Sequence, residues 1–98
     1  MEKATAIVSS SSGVNVFLAT RLANAVKHMR SIVLLKAGNR FADARNILSV
    51  VALCATLGSP IDIGAFGEDE RDAAQAVEQI LSEWSGNMEA GVVTKKVV

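Results

Sequence analysis

The order of its short apolar segments is the feature of this chain that most constrains its fold. Segments that alternate apolar and polar residues predict strands, and segments with apolar residues three and four positions apart predict helices. The two patterns follow one another as strand, helix, strand, strand, helix, strand, helix, with turn residues between them. Since 98 residues fit one domain, we predict an α+β layer: a four-stranded antiparallel sheet with helices on one face. The pattern alone would also allow a ferredoxin-like variant.

The first half of the chain contains four predicted elements. A strand is expected at 4–8, and the serine-rich turn after it leads to a helix that begins at Asn15 and reaches about Arg30. Strands at 32–35 and 40–44 flank a tight turn that contains Gly38 and Asn39. The apolar face of the predicted helix consists of Ala19, Leu22, Ala23, Val26 and Met29.

The second half adds a short helix at 47–54 with Asn46 as its cap, although its β-branched residues also allow a strand there. A strand at 61–66 and an acidic segment at 67–70 precede the last helix, which should end at 86–87. Its apolar stripe consists of Ala73, Ala74, Val77, Ile80, Leu81 and Trp84. The domain therefore covers 1–86, and the tail 87–98 either frays or pairs with a sheet edge, its own or that of a second copy in a homodimer.

The charges are balanced overall but unevenly placed along the chain. Residues 1–45 hold seven Lys and Arg against two acidic residues, whereas residues 46–98 hold three against eight. This asymmetry indicates an acidic protein partner or an anion near the first helix, and a solvated face explains it equally well. A nucleic-acid partner is not expected, because there is no basic run and there are only four aromatic residues.

Single residues exclude several kinds of site. The one cysteine, Cys54, rules out an internal disulfide, and we expect it to be a buried or half-buried apolar residue. The one histidine, His28, is expected on the exposed surface of the first helix, with no metal ligands nearby, so neither a metal nor another cofactor is predicted. No apolar run approaches the roughly 20 residues that span a bilayer, and a reducing cytoplasm is the simplest location.

The turn around Asn15 resembles a known active site. Gly13 and Ala19 match the first and last residues of the Gly-Leu-His-Thr-Arg-Pro-Ala turn of HPr, the histidine phosphocarrier of the bacterial phosphotransferase system. Asn15 stands where the family has its phosphorylated histidine, Phe17 where it has arginine, and Leu18 where it has proline. Because a carboxamide has no nucleophilic nitrogen at neutral pH, the resemblance implies a member that cannot carry a phosphoryl group there.

A second motif supports the resemblance, which covers roughly 4–84. The segment 44–48 is similar to the family segment that contains its regulatory serine, and Asn46 stands at the serine position. The segments 57–63 and 67–70 are similar to the family's fourth strand and to the entry of its last helix. The resemblance implies the HPr-like βαββαβα open-faced sandwich, in a member of the HPr/Crh family that lacks both the active-site histidine and the regulatory serine.

The expected function is a binding or regulatory module without phosphoryl transfer, and not an enzyme. In the family, the first two helices dock other proteins, which points here to Phe17, Arg21, Ile47, Leu48 and Val51. Alternatively, Ile47 and Val51 only pack on the sheet. Two other functions stay open: a phosphocarrier with a relocated phosphorylation site, and an unrelated small α+β domain. The candidates for a relocated site are Ser11, Ser12, Thr20 and Ser49.

Overall fold

Four strands and three helices make up residues 1–83, the part of the chain that this computed structural model describes. The strands are β1 (Glu2–Ile7), β2 (Ile32–Ala37), β3 (Arg40–Asp43) and β4 (Pro60–Phe66), and the helices are α1 (Val16–Val26), α2 (Ile47–Val51) and α3 (Glu70–Glu83). All strand pairs are antiparallel in the order β1-β4-β2-β3. The predicted α+β open-faced sandwich is confirmed. The predicted helix end at 86–87, Trp84 and the tail lie outside the described residues.

The core lies between the helices and one face of the sheet. Alternate residues of β1, β2 and β4 are buried, and they pack against the apolar stripes of α1 and α3. The largest fully buried side chains include Leu18, Leu22, Leu35, Ile61, Ile63 and Leu81. Because side chains alternate between the two faces of a strand, the other face, which contains Lys3, Leu34 and Asp62, is left uncovered by the helices of residues 1–83.

Helix α1 ends at Val26, about one turn before the predicted end. The reason lies in α3, whose first turn follows Asp69. The Asp69 carboxylate accepts the backbone N–H groups of Arg30 (3.1 Å) and Ser31 (2.9 Å), together with the Ser31 hydroxyl. These bonds fix the turn and bend that lead from α1 into β2. The predicted extension of the helix to Arg30 was therefore wrong.

Helix α2 is also shorter than predicted, because it ends at Val51 instead of Cys54. Tighter three-residue bonds follow it, from Leu53 N–H to the Val50 carbonyl and from Cys54 N–H to the Val51 carbonyl, both 3.1 Å. Leu53 takes the buried position, and Cys54 adopts a positive φ of 55° that turns it into solvent. The prediction of a buried or half-buried cysteine was therefore wrong.

The loop between β1 and α1 is fixed by a close approach of two backbones. Gly13 has a φ of +75°, and a Cβ atom there would lie 2.5 Å from the Ala55 carbonyl oxygen. The same oxygen accepts the Val14 N–H at 2.9 Å. A side chain at position 13 is thus excluded both by its backbone conformation and by space.

We predict that Gly13→Ala lowers the free energy of unfolding by about 2 kcal/mol or more, since left-handed strain and the backbone contact add. Urea unfolding measures the change. Gly38→Ala is the matched control, because Gly38 also has a positive φ (+62°) but open space around it, and it should cost about 1 kcal/mol. Equal losses in the two variants would contradict the role assigned to the contact with Ala55.

A second prediction concerns Asp69. The Ser31 hydroxyl, and then the Arg30 N–H, lower the pKa of this carboxyl below its ordinary value of 3.8. A lowered pKa contributes stability above the unfolded-state value, and this contribution is lost as the pH falls through the folded-state value. Asp69→Asn should therefore be less stable than the parent at pH 7, with a difference that shrinks below about pH 3.8.

Urea midpoints at several pH values between 7 and 3 test this pH dependence. Asp72→Asn is the control, because it removes a carboxylate from the first turn of α3 without changing the contacts of Ser31. A stability difference between Asp69→Asn and the parent that stays constant over the whole pH range would be evidence against the hydrogen-bonded carboxylate as its source.

Candidate functional site

Asn15 begins α1 as its N-cap. Its backbone is extended, at φ −120° and ψ −176°, and its side-chain oxygen accepts the Leu18 N–H at 3.0 Å. Its carbonyl accepts the Ala19 N–H at 2.9 Å, which is the first backbone hydrogen bond of the helix. The predicted cap is confirmed, and such a cap contributes about 1 kcal/mol relative to alanine.

Asn46 caps α2 in the same way. Its side-chain oxygen accepts the Ser49 N–H at 3.1 Å, and its carbonyl accepts the Val50 N–H at 3.0 Å. Asp43 holds the preceding turn, because its carbonyl accepts the Asn46 N–H and its carboxylate accepts the Arg45 N–H, both at 2.9 Å. Both asparagine side chains thus have a structural use as helix caps.

The N-terminus of α1 lies beside the segment that leaves α2. The bond from Val14 N–H to the Ala55 carbonyl joins the two segments directly, and α1 and α2 also pack against each other. The chemistry at the start of α1 and the surface of α2 therefore belong to one side of the molecule, opposite the uncovered face of the sheet.

The predicted docking residues divide into two groups on this side. Phe17 and Leu48 are 58% and 79% exposed, and Arg21 is also exposed. Ile47 and Val51 are half-buried and pack against the core, as the alternative interpretation held. Two further exposed side chains, Val16 (51%) and Leu57 (58%), were not among the predicted residues. The position of Leu57 before the turn at Gly58 was the only sequence signal for its exposure.

Two arginines near α2, Arg40 and Arg45, bind backbone carbonyls. The Arg40 guanidinium donates to the Ala52 carbonyl at 3.0 Å and lies 3.8 Å from the Cys54 sulfur. The Arg45 guanidinium donates to the Met29 and Ser31 carbonyls at 2.9 and 3.1 Å. Arg40 thus holds the end of α2, and Arg45 holds the connection between α1 and β2.

No nucleophilic side chain caps α1. The Asn15 amide cannot accept a phosphoryl group as an imidazole does, and His28 is exposed in the turn after the other end of the helix. Among residues 1–83, no three His, Cys, Asp or Glu side chains are grouped so that they could hold a metal ion. Within the same residues, no helix has the length and apolar character that crossing a membrane requires.

Comparison with known proteins identifies the family. A protein-family model with the description "PTS HPr component phosphorylation site", where PTS stands for the phosphotransferase system, matches residues 2–83. The chain belongs to the HPr family. The fold is similar to HPr-C-His from Thermoanaerobacter tengcongensis, with a TM-score of 0.77 and 20% identity over 83% of this chain and 91% of that one.

Two further HPr-family structures are similar. The histidine-containing phosphocarrier protein of Mycoplasma gives a TM-score of 0.76 and 25% identity, over 91% of this chain and 94% of its own. Crh from Bacillus subtilis is a catabolite-repression protein that forms a domain-swapped dimer. It gives a TM-score of 0.68 and 22% identity, over 85% of this chain and 95% of its own. At such identities, the structural likeness to HPr-C-His and Crh supports the fold, and the function depends on the residues of this chain.

Proposed function

We propose that this chain is a non-catalytic HPr-like binding or regulatory module, which acts in the cytoplasm through protein contacts and is not an enzyme. The observation that supports this proposal best is the use of Asn15 as a helix cap. Its oxygen is bonded to the Leu18 N–H, and its amide nitrogen is not nucleophilic. The position at which the family resemblance puts a phosphohistidine thus holds a residue that stabilises α1 and has no phosphoryl chemistry.

The proposed docking face consists of Phe17, Arg21, Ile47, Leu48 and Val51. Phe17 and Leu48 would be the anchors, because several large apolar side chains are exposed on this side of a small protein, and such a group indicates a contact surface. Ile47 and Val51 are partly buried against the core, so they would hold α2, and with it Leu48, in position. Arg21 adds a positive charge beside these apolar side chains, which fits a partner with an acidic rim.

A phosphocarrier with a relocated site is the second candidate. Ser11 and Ser12 are exposed in the loop before α1, where a helix N-terminus favours an anion. Thr20 fits less well, because its hydroxyl already donates to the Val16 carbonyl at 2.7 Å. Ser49 is half-buried, which also makes it a poorer acceptor. A serine acceptor would form an acid-stable phosphate ester, whereas phosphohistidine is acid-labile, so the two chemistries can be separated.

The first functional prediction is that phosphoryl transfer fails. Incubation with phosphoenolpyruvate and Enzyme I should leave the intact mass unchanged, because Asn15 has no imidazole and Phe17 provides no guanidinium to steady the group. A stoichiometric, acid-labile increase in mass by one phosphate would contradict the non-catalytic proposal. An acid-stable increase, located on a serine, would favour the relocated phosphorylation site.

Reversion provides the positive control for this assay. Asn15→His alone should transfer poorly, since Phe17 and Leu18 still differ from the family's arginine and proline. The triple change Asn15→His, Phe17→Arg and Leu18→Pro should transfer better. Transfer at the same rate by the single and triple variants would show that Phe17 is not the obstacle.

The second functional prediction concerns the docking face. Leu48→Asp puts an unpaired charge in the centre of the proposed contact, which should weaken partner binding about tenfold or more. The fold should survive, because Leu48 is 79% exposed. Recovery of co-purifying proteins from native cytosol, quantified by mass spectrometry, measures the loss, and circular dichroism checks the fold.

Ile7→Asp is the matched control for Leu48→Asp. Ile7 is also an exposed apolar residue (53%), but its side chain lies on the opposite face of the sheet, because its neighbour Ala6 enters the core. The docking proposal requires the same proteins to be recovered with Ile7→Asp and lost with Leu48→Asp. Equal recovery with both variants would place the protein contact elsewhere.

A further inference from the structure

One face of the sheet is covered by none of the helices in residues 1–83, and it carries several exposed apolar side chains. Met1, Ile32, Leu34, Phe41 and Phe66 are all exposed there, and part of this face forms an open groove of about 440 Å³. Single exposed apolar residues need no explanation, but a contiguous group of this kind indicates a contact surface. The proposed docking face lies on the helices, so it leaves this surface unexplained.

The strand register gives a map of the uncovered face in rows that run across β1, β4, β2 and β3. One row reads Thr5, Asp62, Lys36, Phe41, and the next reads Lys3, Gly64, Leu34, Asp43. A third row contains Phe66 on β4 and Ile32 on β2. Each of the first two rows has one positive and one negative side chain, so that the side chains of these two rows have no net charge.

The placement of these side chains is complementary to itself under a two-fold rotation. An axis along the strands, midway between β4 and β2, exchanges β4 with β2 and β1 with β3. Two copies stacked face to face would then have Lys36 opposite Asp62, and Lys3 opposite Asp43. In the same stack, Gly64 would face Leu34, so that the large leucine side chain meets a residue without one. Phe66 would face Ile32.

From this complementarity we propose that the uncovered sheet face binds a second copy of this chain, as a symmetric face-to-face dimer. The two sheets would lie about 10 Å apart, with strands crossing at roughly 30°, as in aligned sheet packing. Since this crossing angle separates the corners, the central pairs, Lys36 with Asp62 and Gly64 with Leu34, come closest. A two-fold interface requires the self-complementarity that the rows display.

The size of the face predicts a weak, reversible dimer. Four strands about 4.8 Å apart and roughly 20 Å long cover approximately 400 Å² in plan, which is below the typical 800 Å² per partner of a stable interface. Charged pairs at the centre also lose hydration on contact. Association is therefore expected between roughly 10 μM and 1 mM protein.

Charge exchange at the central pair tests the dimer. Lys36→Glu puts two acidic groups opposite each other in both symmetric contacts, and Asp62→Lys puts two basic groups there, so each variant should be monomeric by sedimentation at all concentrations. An equimolar mixture of the two variants restores both opposite-charge contacts. The mixture should sediment as a dimer with an affinity near that of the parent.

The mixing step separates this dimer from effects within one chain. Lys36 and Asp62 are also neighbours within one sheet, so each variant has a like-charge pair of its own, which mixing does not remove. Leu48→Asp, on the helix side, should leave the dimer of the parent unchanged. Three results would each overturn the proposal: a parent that stays monomeric up to 1 mM, a dimer that neither charge variant weakens (the expected result for exchanged strands or for tail pairing), and a mixture that stays monomeric.

Discussion

Strand β4 is the element on which the rest of the structure depends. It is hydrogen-bonded on both sides, to β1 and to β2, so its register fixes which side chains of three strands share a face. Ile61, Ile63 and Ala65 enter the core, and Asp62, Gly64 and Phe66 lie on the uncovered face. A slip of one residue would exchange these two sets. The buried isoleucines therefore determine both the core and the charge pattern of the outer surface.

The order of the elements was predictable because it depends on short-range periodicity. The stripe through Leu22 and Val26 and the alternation in 61–66 are local, and both correspond to elements of the structure. Helix ends were not predictable from these patterns. Helix α1 stops where Asp69, 39 residues from Arg30, accepts backbone N–H groups, and nothing near Arg30 in the sequence signals this bond.

Only part of the candidate site was predictable from the sequence. The cap positions of Asn15 and Asn46 follow from residue type and from the apolar segments after them, and both are confirmed. Exposure was harder to predict, because it depends on which face of the five-residue helix α2 packs on the core and on the backbone conformation of the residues that follow it. Cys54 shows this difficulty best: a positive φ of 55° directs it outward, and non-glycine residues rarely adopt that backbone conformation.

The two proposed contact surfaces lie on opposite sides of the sheet, and this arrangement has a consequence for binding. A dimer formed through the uncovered face would direct the two α1–α2 surfaces away from each other. One small partner could then contact only one of them, whereas a partner with two sites could contact both and gain from the raised effective concentration. Because such a dimer would be weak, this gain would depend on the protein concentration. The concentration of the chain in the cell would then control how strongly it holds its partner, without any phosphoryl group.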